Sequence, residues 1–111
     1  MRFGLEDNII EKINTVFCQY ANIEQVILYG SRAKGNFKRG SDIDLTIVSD
    51  SNQISFSDLA KAENQLDDLM LPYKIDLSLM KQISNPKLID HIDRVGIIFY
   101  QRPGADKQVK E

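Results

Sequence analysis

The run Val26-Ile27-Leu28-Tyr29 constrains the fold most, because it is apolar without any alternation of polar residues. A strand of this kind is covered on both faces, whereas a strand with one wet face alternates apolar and polar side chains. The run is rich in β-branched and aromatic residues, and it ends at Gly30. It predicts a strand over Ile23–Tyr29 that is covered on both faces.

Two further segments, Asp42–Val48 and Tyr73–Met80, alternate as strands with one buried face do. A brief fourth strand is expected over Ile97–Tyr100. The apolar residues that share one face of the two alternating strands are Ile43, Leu45 and Ile47 in the first and Ile75, Leu77 and Leu79 in the second.

Helices are predicted where apolar residues recur at three- and four-residue steps. The first spans residues 6–21, and the second runs over Asp58–Met70 with Ser57 as its N-cap. The third begins at Asn85-Pro86, a capping residue followed by proline at the first helical position, and ends at Gly96. The element order is therefore α-β-β-α-β-α-β.

Length and composition limit the chain to one domain. Its 111 residues, 42% of them hydrophobic and 27% charged, suffice for one core and argue against disorder. We expect an α/β (α+β) domain over residues 1–100, with helices packed on a small mixed β-sheet, and a flexible tail over 101–111. No run approaches the roughly 18 apolar residues of a membrane span. The net charge of −2 argues against direct nucleic-acid binding, and the single cysteine, Cys18, fits a reducing cytoplasm.

A glycine turn follows the first strand, where Gly30-Ser31 leads on to Gly35. Glycine lets backbone N–H groups approach a phosphate closely, and a helix that starts at Ser31 would direct its positive end toward the same anion. A Walker loop is excluded, because Asn36-Phe37 stands where Lys-Ser/Thr is required. On this feature alone, a plain strand-to-helix turn is an equally good interpretation.

Three aspartates are the candidates for catalysis and metal binding. Asp42 and Asp44, two residues apart on a strand, share one face about 6–7 Å apart. Their like charges call for a counter-ion, and Mg²⁺ prefers one or two carboxylates together with phosphate and water. Asp76 joins them if the second and third strands pair, which gives three carboxylates suited to two Mg²⁺ ions and in-line phosphoryl transfer. A solvated strand edge is the alternative for the first pair.

Gly30-Ser31, ten intervening residues, Asp42-Ile43-Asp44 and a later Asp76 together resemble the DNA-polymerase-beta-like nucleotidyltransferase superfamily. Within it, residues 28–35 and 40–45 are similar to the minimal nucleotidyltransferases, or MNT proteins. The resemblance covers residues 6–100 and implies the polymerase-beta-like fold. It also implies that Asp42 and Asp44 bind two Mg²⁺ ions and that Asp76 binds the catalytic one.

The resemblance further implies a nucleotide and a partner. Gly30, Ser31 and Ser41 would line the triphosphate site, and Arg32 and Lys34 would contact its phosphates. The substrate would be ATP or another nucleoside triphosphate. Small MNT proteins pair with an all-helical HEPN ribonuclease toxin and act as its antitoxin by adenylylating one of its tyrosines. The chain has no room for the helical acceptor domain of larger members, so a hydroxyl of the partner protein would be the acceptor.

Two other functions stay open at this point: a non-catalytic antitoxin that covers the toxin's active site, and a nucleotidyltransferase that acts on a small molecule such as an aminoglycoside. Other candidate residues are interpreted structurally. His91, among charged residues on the last helix, is expected to be a solvated surface histidine. Cys18 is expected to be a packed or half-buried thiol, and Tyr29 to belong to the core.

Overall fold

The computed structural model describes residues 1–49 and 54–103. The predicted order of helices and strands is confirmed, and a short helix is added at the glycine turn. The elements are α1 (Asp7–Phe17), β1 (Ile23–Tyr29), α2 (Ser31–Lys34), β2 (Ile43–Ser49), α3 (Phe56–Asp68), β3 (Ile75–Leu79), a 3₁₀ turn (Met80–Gln82), α4 (Pro86–Val95) and β4 (Ile97–Gln101).

The strands form one mixed sheet in the order β3-β2-β1-β4. β1 is antiparallel to both β2 and β4, whereas β2 and β3 are parallel. A parallel pair needs a crossover connection, and α3 supplies it here. β1 and β2 are the two inner strands, so the strand with the apolar run and the strand with the paired aspartates both lie inside the sheet.

The main core lies on the sheet face that α1 and α3 cover. Apolar side chains of β2 share one buried cluster with those of α1 and α3, and each buried side chain of this size contributes about 1.5–3 kcal/mol. The large apolar side chains that are fully buried are Leu5, Ile13, Phe17, Ile23, Val26, Leu28, Ile43, Leu45 and Ile47.

α4 packs against β1 on the opposite face. Ile92 of α4 is 3% exposed, and Gly96 lies so close to Ile27 that a side chain at that glycine would collide with it. Tyr29 is also buried, as predicted. Both faces of β1 are therefore covered, which explains why its apolar run does not alternate.

Several element boundaries differ from the prediction: α3 ends at Asp68 rather than Met70, β2 spans Ile43–Ser49 rather than Asp42–Val48, and β3 spans Ile75–Leu79 rather than Tyr73–Met80. The end of α1 and the start of α3 have identifiable causes. α1 ends at Phe17. Beyond it, the N–H groups of Gln19 and Tyr20 donate to carbonyl oxygens three residues earlier, as in a 3₁₀ turn. The apolar spacing therefore continues past the end of the α-helix. α3 begins earlier than predicted, since its N-cap is Ser55 rather than Ser57. The Ser55 hydroxyl accepts a hydrogen bond from the Asp58 N–H at 3.1 Å.

The capping of α4 is confirmed. The Asn85 side chain accepts a hydrogen bond from the Lys87 N–H at 2.9 Å, Pro86 occupies the first helical position, and Gly96 follows the last. The prediction of a packed or half-buried thiol at Cys18 is wrong. The free thiol is exposed and donates to the Thr15 carbonyl at 3.1 Å. The apolar stripe of α1 passes beside this position without covering it.

The last strand extends one residue beyond its predicted end at Tyr100. β4 includes Gln101, and the Arg102 N–H donates to the Glu24 carbonyl at 2.8 Å. The remainder of the predicted tail, residues 104–111, lies outside the described residues. In the ranges 1–49 and 54–103, no helix is long and apolar enough to cross a membrane.

Candidate active site

The parallel register of β2 and β3 brings two of the three predicted aspartates together. Asp44 pairs directly with Asp76, so the two side chains stand next to each other on the face away from the main core. Asp44 is half-buried, whereas Asp76 is exposed at the outer strand. Asp42 comes directly before β2 and is also exposed. The condition under which Asp76 joins Asp44, that the two strands are neighbours, is therefore met.

The glycine turn lies against this carboxylate pair. In the antiparallel register Tyr29 pairs with Asp44, so the next residue, Gly30, lies at the same end of the sheet. Gly30 has a φ of 77°, which is costly for any residue with a side chain, and a Cβ added there would collide with Asp44 Oδ2. Glycine is thus required both by the backbone conformation and by the close approach of the carboxylate.

The surroundings of Asp44 perturb the pKa of its carboxyl group. Burial raises the pKa of Asp44 above its usual value, and the negative charges of Asp76 and Asp42 raise it further. A divalent cation at this place would remove that repulsion. The shifted pKa therefore indicates an acidic cluster that favours a positive ligand.

The donor set fits Mg²⁺ in the way that nucleotide-dependent enzymes hold it. Among the described residues, no three His, Cys, Asp or Glu side chains converge on one point as a complete metal cage. Mg²⁺ usually takes one or two carboxylates and obtains its other ligands from phosphate oxygens and water. Asp44 and Asp76, with Asp42 beside them, meet that requirement without a preformed cage.

Hydroxyl groups lie beside the carboxylate pair. Thr46 and Ser78 pair two residues further along β2 and β3, and Ser78 Oγ donates to Thr46 Oγ1 at 3.0 Å. Burial raises the pKa of the nearby Tyr29 phenol, and the charges of Asp44 and Asp76 add to the shift, whereas the Ser78 hydroxyl opposes it. Sequence reasoning assigned Tyr29 to the core but did not find this hydroxyl layer, which depends on strand pairing.

His91 is the functional candidate that the sequence prediction missed. It is half-buried on α4, and its Nε2 accepts a hydrogen bond from the Gly30 N–H at 3.0 Å. Its ring also meets the Tyr29 ring edge-on, with 6.2 Å between centroids. The expectation of a solvated surface histidine is wrong. The available signal was its position three residues after Leu88 and one before Ile92, at the edge of the apolar stripe of α4.

Arg32 is predicted to contact phosphate, but its side chain is buried in the structure. The side chain is 2% exposed, and its guanidinium is committed to backbone oxygens and aromatic rings. A buried guanidinium needs such acceptors and rings to replace water. The partners are the carbonyl oxygens of Ser41 (2.9 Å), Phe3 (2.8 Å) and Arg39 (3.3 Å) and the rings of Phe37 (5.2 Å to the centroid) and Tyr73 (4.9 Å). Arg32 therefore braces the loop between the glycine turn and β2.

The other predicted nucleotide contacts differ in their accessibility. Ser31 is half-buried as the first residue of α2, directly after Gly30, and Lys34 is exposed at the end of the same helix. The Ser41 hydroxyl accepts a hydrogen bond from the Lys38 N–H at 2.8 Å, so it stabilises its own loop in this structure. Gly30 and Ser31 are thus the predicted contacts that flank the carboxylates.

A mixed sheet that brings paired carboxylates to a glycine turn agrees with the class of domain that the sequence motifs imply. Residues 11–104 match the family model described as polymerase beta, nucleotidyltransferase. The chain therefore belongs to the polymerase beta nucleotidyltransferase family. A sequence comparison with curated proteins gives no significant match.

Solved structures support the same fold. A chain of a toxin–antitoxin structure with AMP-PNP is 20% identical, with a TM-score of 0.65 over 96% of this chain and 83% of that one. A chain of the structure of tri-AMPylated Shewanella oneidensis HEPN toxin in complex with MNT antitoxin is 14% identical, with a TM-score of 0.64 over 94% and 79%. A chain of an MntA–HepT complex is 16% identical, with a TM-score of 0.63 over 95% and 82%. These similarities confirm the polymerase-beta-like nucleotidyltransferase fold.

Proposed function

We propose that this protein is a Mg²⁺-dependent nucleotidyltransferase that moves AMP from ATP to a hydroxyl group of a partner protein. The observation that carries the proposal is the direct pairing of Asp44 with Asp76 beside Gly30. This arrangement combines an acidic cation site with a turn that a phosphate can approach, and the chain belongs to a nucleotidyltransferase family.

In this reaction the acceptor oxygen attacks the α-phosphorus of ATP. The new oxygen–phosphorus bond forms as the bond to the β-phosphate bridging oxygen breaks, and pyrophosphate leaves. Asp76, exposed beside Asp44, is the group that takes the proton of the acceptor hydroxyl. Asp42 and Asp44, with Asp76, would hold Mg²⁺, which when bound supplies charge stabilisation on the phosphates and orients the acceptor. The Gly30-Ser31 backbone and Lys34 orient the triphosphate, and the Ser41 loop closes the site beside them.

We propose a HEPN toxin as the partner, with this protein as its antitoxin in the reducing cytoplasm. Two observations support this choice. The similar chains belong to toxin–antitoxin structures, one of them with an AMPylated HEPN toxin. The carboxylates Asp42 and Asp76 are exposed, so a side chain presented by another protein can reach them.

The test is to incubate the purified protein with its HEPN partner, ATP and Mg²⁺, and to measure the intact mass of the partner. The proposal predicts an increase of one or more adenylyl groups. Asp42→Asn/Asp44→Asn should abolish the increase. Asp67→Asn/Asp68→Asn, which changes charge equally at exposed positions at the end of α3, should leave it intact.

Three outcomes would contradict the proposal. If the partner gains no mass while the Asp42→Asn/Asp44→Asn variant still protects cells, the protein is a binding antitoxin without catalysis. If ATP is consumed only when a small hydroxylated molecule such as an aminoglycoside is added, the acceptor is not a protein. Equal mass gain with wild type and the Asp42→Asn/Asp44→Asn variant would show that these carboxylates do not perform the chemistry.

A further inference from the structure

We propose that His91 is a positioning residue of the nucleotide site and that it acts through the backbone of Gly30. The inference rests on the proposed nucleotide-binding function. It assigns a role to a residue on α4, a helix that contributes none of the predicted site residues. The observation behind it is the hydrogen bond from the Gly30 N–H to His91 Nε2, which joins residues 61 positions apart in the sequence.

Gly30 is restrained from three directions. Its N–H donates to His91 Nε2 at 3.0 Å, and its carbonyl accepts from the Lys34 N–H at 3.1 Å. The Asp44 carboxylate packs against its Cα, where a side chain would not fit. The backbone has a φ of 77° and a ψ of −157°, a region that few residues other than glycine adopt. Removing one restraint therefore allows the turn to relax toward other conformations.

α4 holds His91 firmly enough to act as a restraint. The helix is capped by Asn85 at its start, and Ile92, the next residue after His91, is 3% exposed. The His91 ring contacts the Tyr29 ring edge-on, with an interplanar angle of 79°. The imidazole is thus fixed between the helix and the end of β1. Its Nε2 accepts a hydrogen bond, so the ring proton of the neutral form lies on Nδ1.

The position of Gly30 sets the shape of the site on both sides. Its Cα limits where the Asp44 carboxylate can point, and the chain continues directly into Ser31 and α2. Without the His91 acceptor, a half-buried N–H would lose its partner and the turn would sample conformations that fit phosphate and metal less well. His91 therefore acts on nucleotide affinity without contact to the nucleotide.

The test compares two variants, each of which keeps one of the two contacts that His91 makes. His91→Gln keeps an acceptor at about the distance of Nε2, whereas His91→Phe keeps the aromatic contact with Tyr29 but has no acceptor. Asp93→Asn is the control, because it lies about 160° around the helix axis from His91 and is exposed. Calorimetric titration with Mg²⁺-ATP gives the dissociation constant, and thermal unfolding gives the stability of each variant.

We expect His91→Phe to weaken Mg²⁺-ATP binding about three- to tenfold, the range that one net hydrogen bond supplies. His91→Gln should restore at least half of that loss on a logarithmic scale, and Asp93→Asn should match wild type. In the transfer assay His91→Phe should raise KM for ATP more than it lowers kcat. Equal affinity of His91→Phe and wild type would overturn the inference, as would equal losses in the Gln and Phe variants.

Wild-type protein separates this inference from the proposed function. If wild type binds no Mg²⁺-ATP, the proposed function fails; if wild type binds and His91→Phe binds equally well, only the role of His91 fails. If His91→Phe does not fold, amide hydrogen exchange of Gly30 in wild type decides. Slow exchange supports the hydrogen bond to His91, and exchange as fast as in an unstructured peptide overturns it.

Discussion

Arg32 offers the sharpest contrast between the sequence interpretation and the structure. As a phosphate contact, Arg32 would matter for nucleotide binding and little for folding. As a buried side chain that holds the loop between the glycine turn and β2, it should matter first for folding. The substitution Arg32→Met keeps much of the side-chain length and removes the guanidinium, so it separates the two roles.

The size of the effect follows from its partners. Hydrogen bonds from a charged donor contribute about 1.5–3 kcal/mol each. The carbonyl oxygens of Ser41 and Phe3 belong to half-buried residues, whereas Arg39 is exposed and its carbonyl can turn to water. Two lost bonds give about 3–6 kcal/mol, against a total of about 5–15 kcal/mol for a domain. Arg32→Met should therefore remove a large part of the free energy of unfolding, or prevent folding.

Urea denaturation followed by circular dichroism measures this loss as a lower midpoint at unchanged slope. Arg32→Lys should recover part of it, because an ammonium keeps the charge but lacks the planar fork. Lys34→Met, on the same short helix but exposed, should unfold like wild type and bind Mg²⁺-ATP more weakly. If Arg32→Met lowers the free energy of unfolding by less than about 1 kcal/mol and weakens ATP binding, the structural role of Arg32 is refuted and its role as a phosphate contact is supported.

Four further variants test other parts of the structure. Gly30→Ala should destabilise the fold by about 1–3 kcal/mol and weaken Mg²⁺-ATP binding more than tenfold, because its φ is 77° and its Cβ would meet the Asp44 carboxylate; wild-type affinity in a binding titration would contradict this. Asp44→Asn should raise the melting temperature at neutral pH without Mg²⁺. The folded-state pKa of Asp44 is raised, so wild type loses stability as the pH rises through that pKa. The difference in melting temperature between wild type and Asp44→Asn should therefore disappear at pH values below those at which ordinary carboxyl groups titrate. A difference in melting temperature that grows on acidification would refute the raised pKa of Asp44. Ser55→Ala should cost about 1 kcal/mol in urea denaturation and Ser57→Ala about 0.3 kcal/mol or less; the reverse order would move the N-cap back to Ser57.

The parts of the fold that the sequence predicts well depend on local periodicity. β1 has the same bounds in the sequence and in the structure, because an apolar run between polar residues and a glycine is a local signal. The pairing of Asp44 with Asp76 was predictable up to one condition, that β2 and β3 are neighbours. The spacing within each strand fixes the face, but only the tertiary fold fixes the neighbour.

The parts that it did not predict depend on contacts between distant residues. The hydrogen bond between Gly30 and His91 spans 61 positions, and that between Arg32 and Phe3 spans 29. Periodicity places His91 at the edge of the apolar stripe of α4, but it does not identify Gly30 as the partner of His91 or Phe3 as a partner of Arg32. The N-cap of α3 is a smaller error of the same kind. Ser55 and Ser57 both have a hydroxyl that can cap a helix, and only the path of the backbone selects Ser55.

The most direct measurement of the central claim is the fate of labelled ATP. ATP that carries radioactive phosphorus at the α-position should transfer its label to the HEPN partner in the presence of Mg²⁺, and ATP labelled at the γ-position should not. Asp44→Asn and Asp76→Asn should each abolish the transfer. Label from the γ-position on the partner, or undiminished α-label with both variants, would contradict a nucleotidyl transfer site built on Asp44 and Asp76.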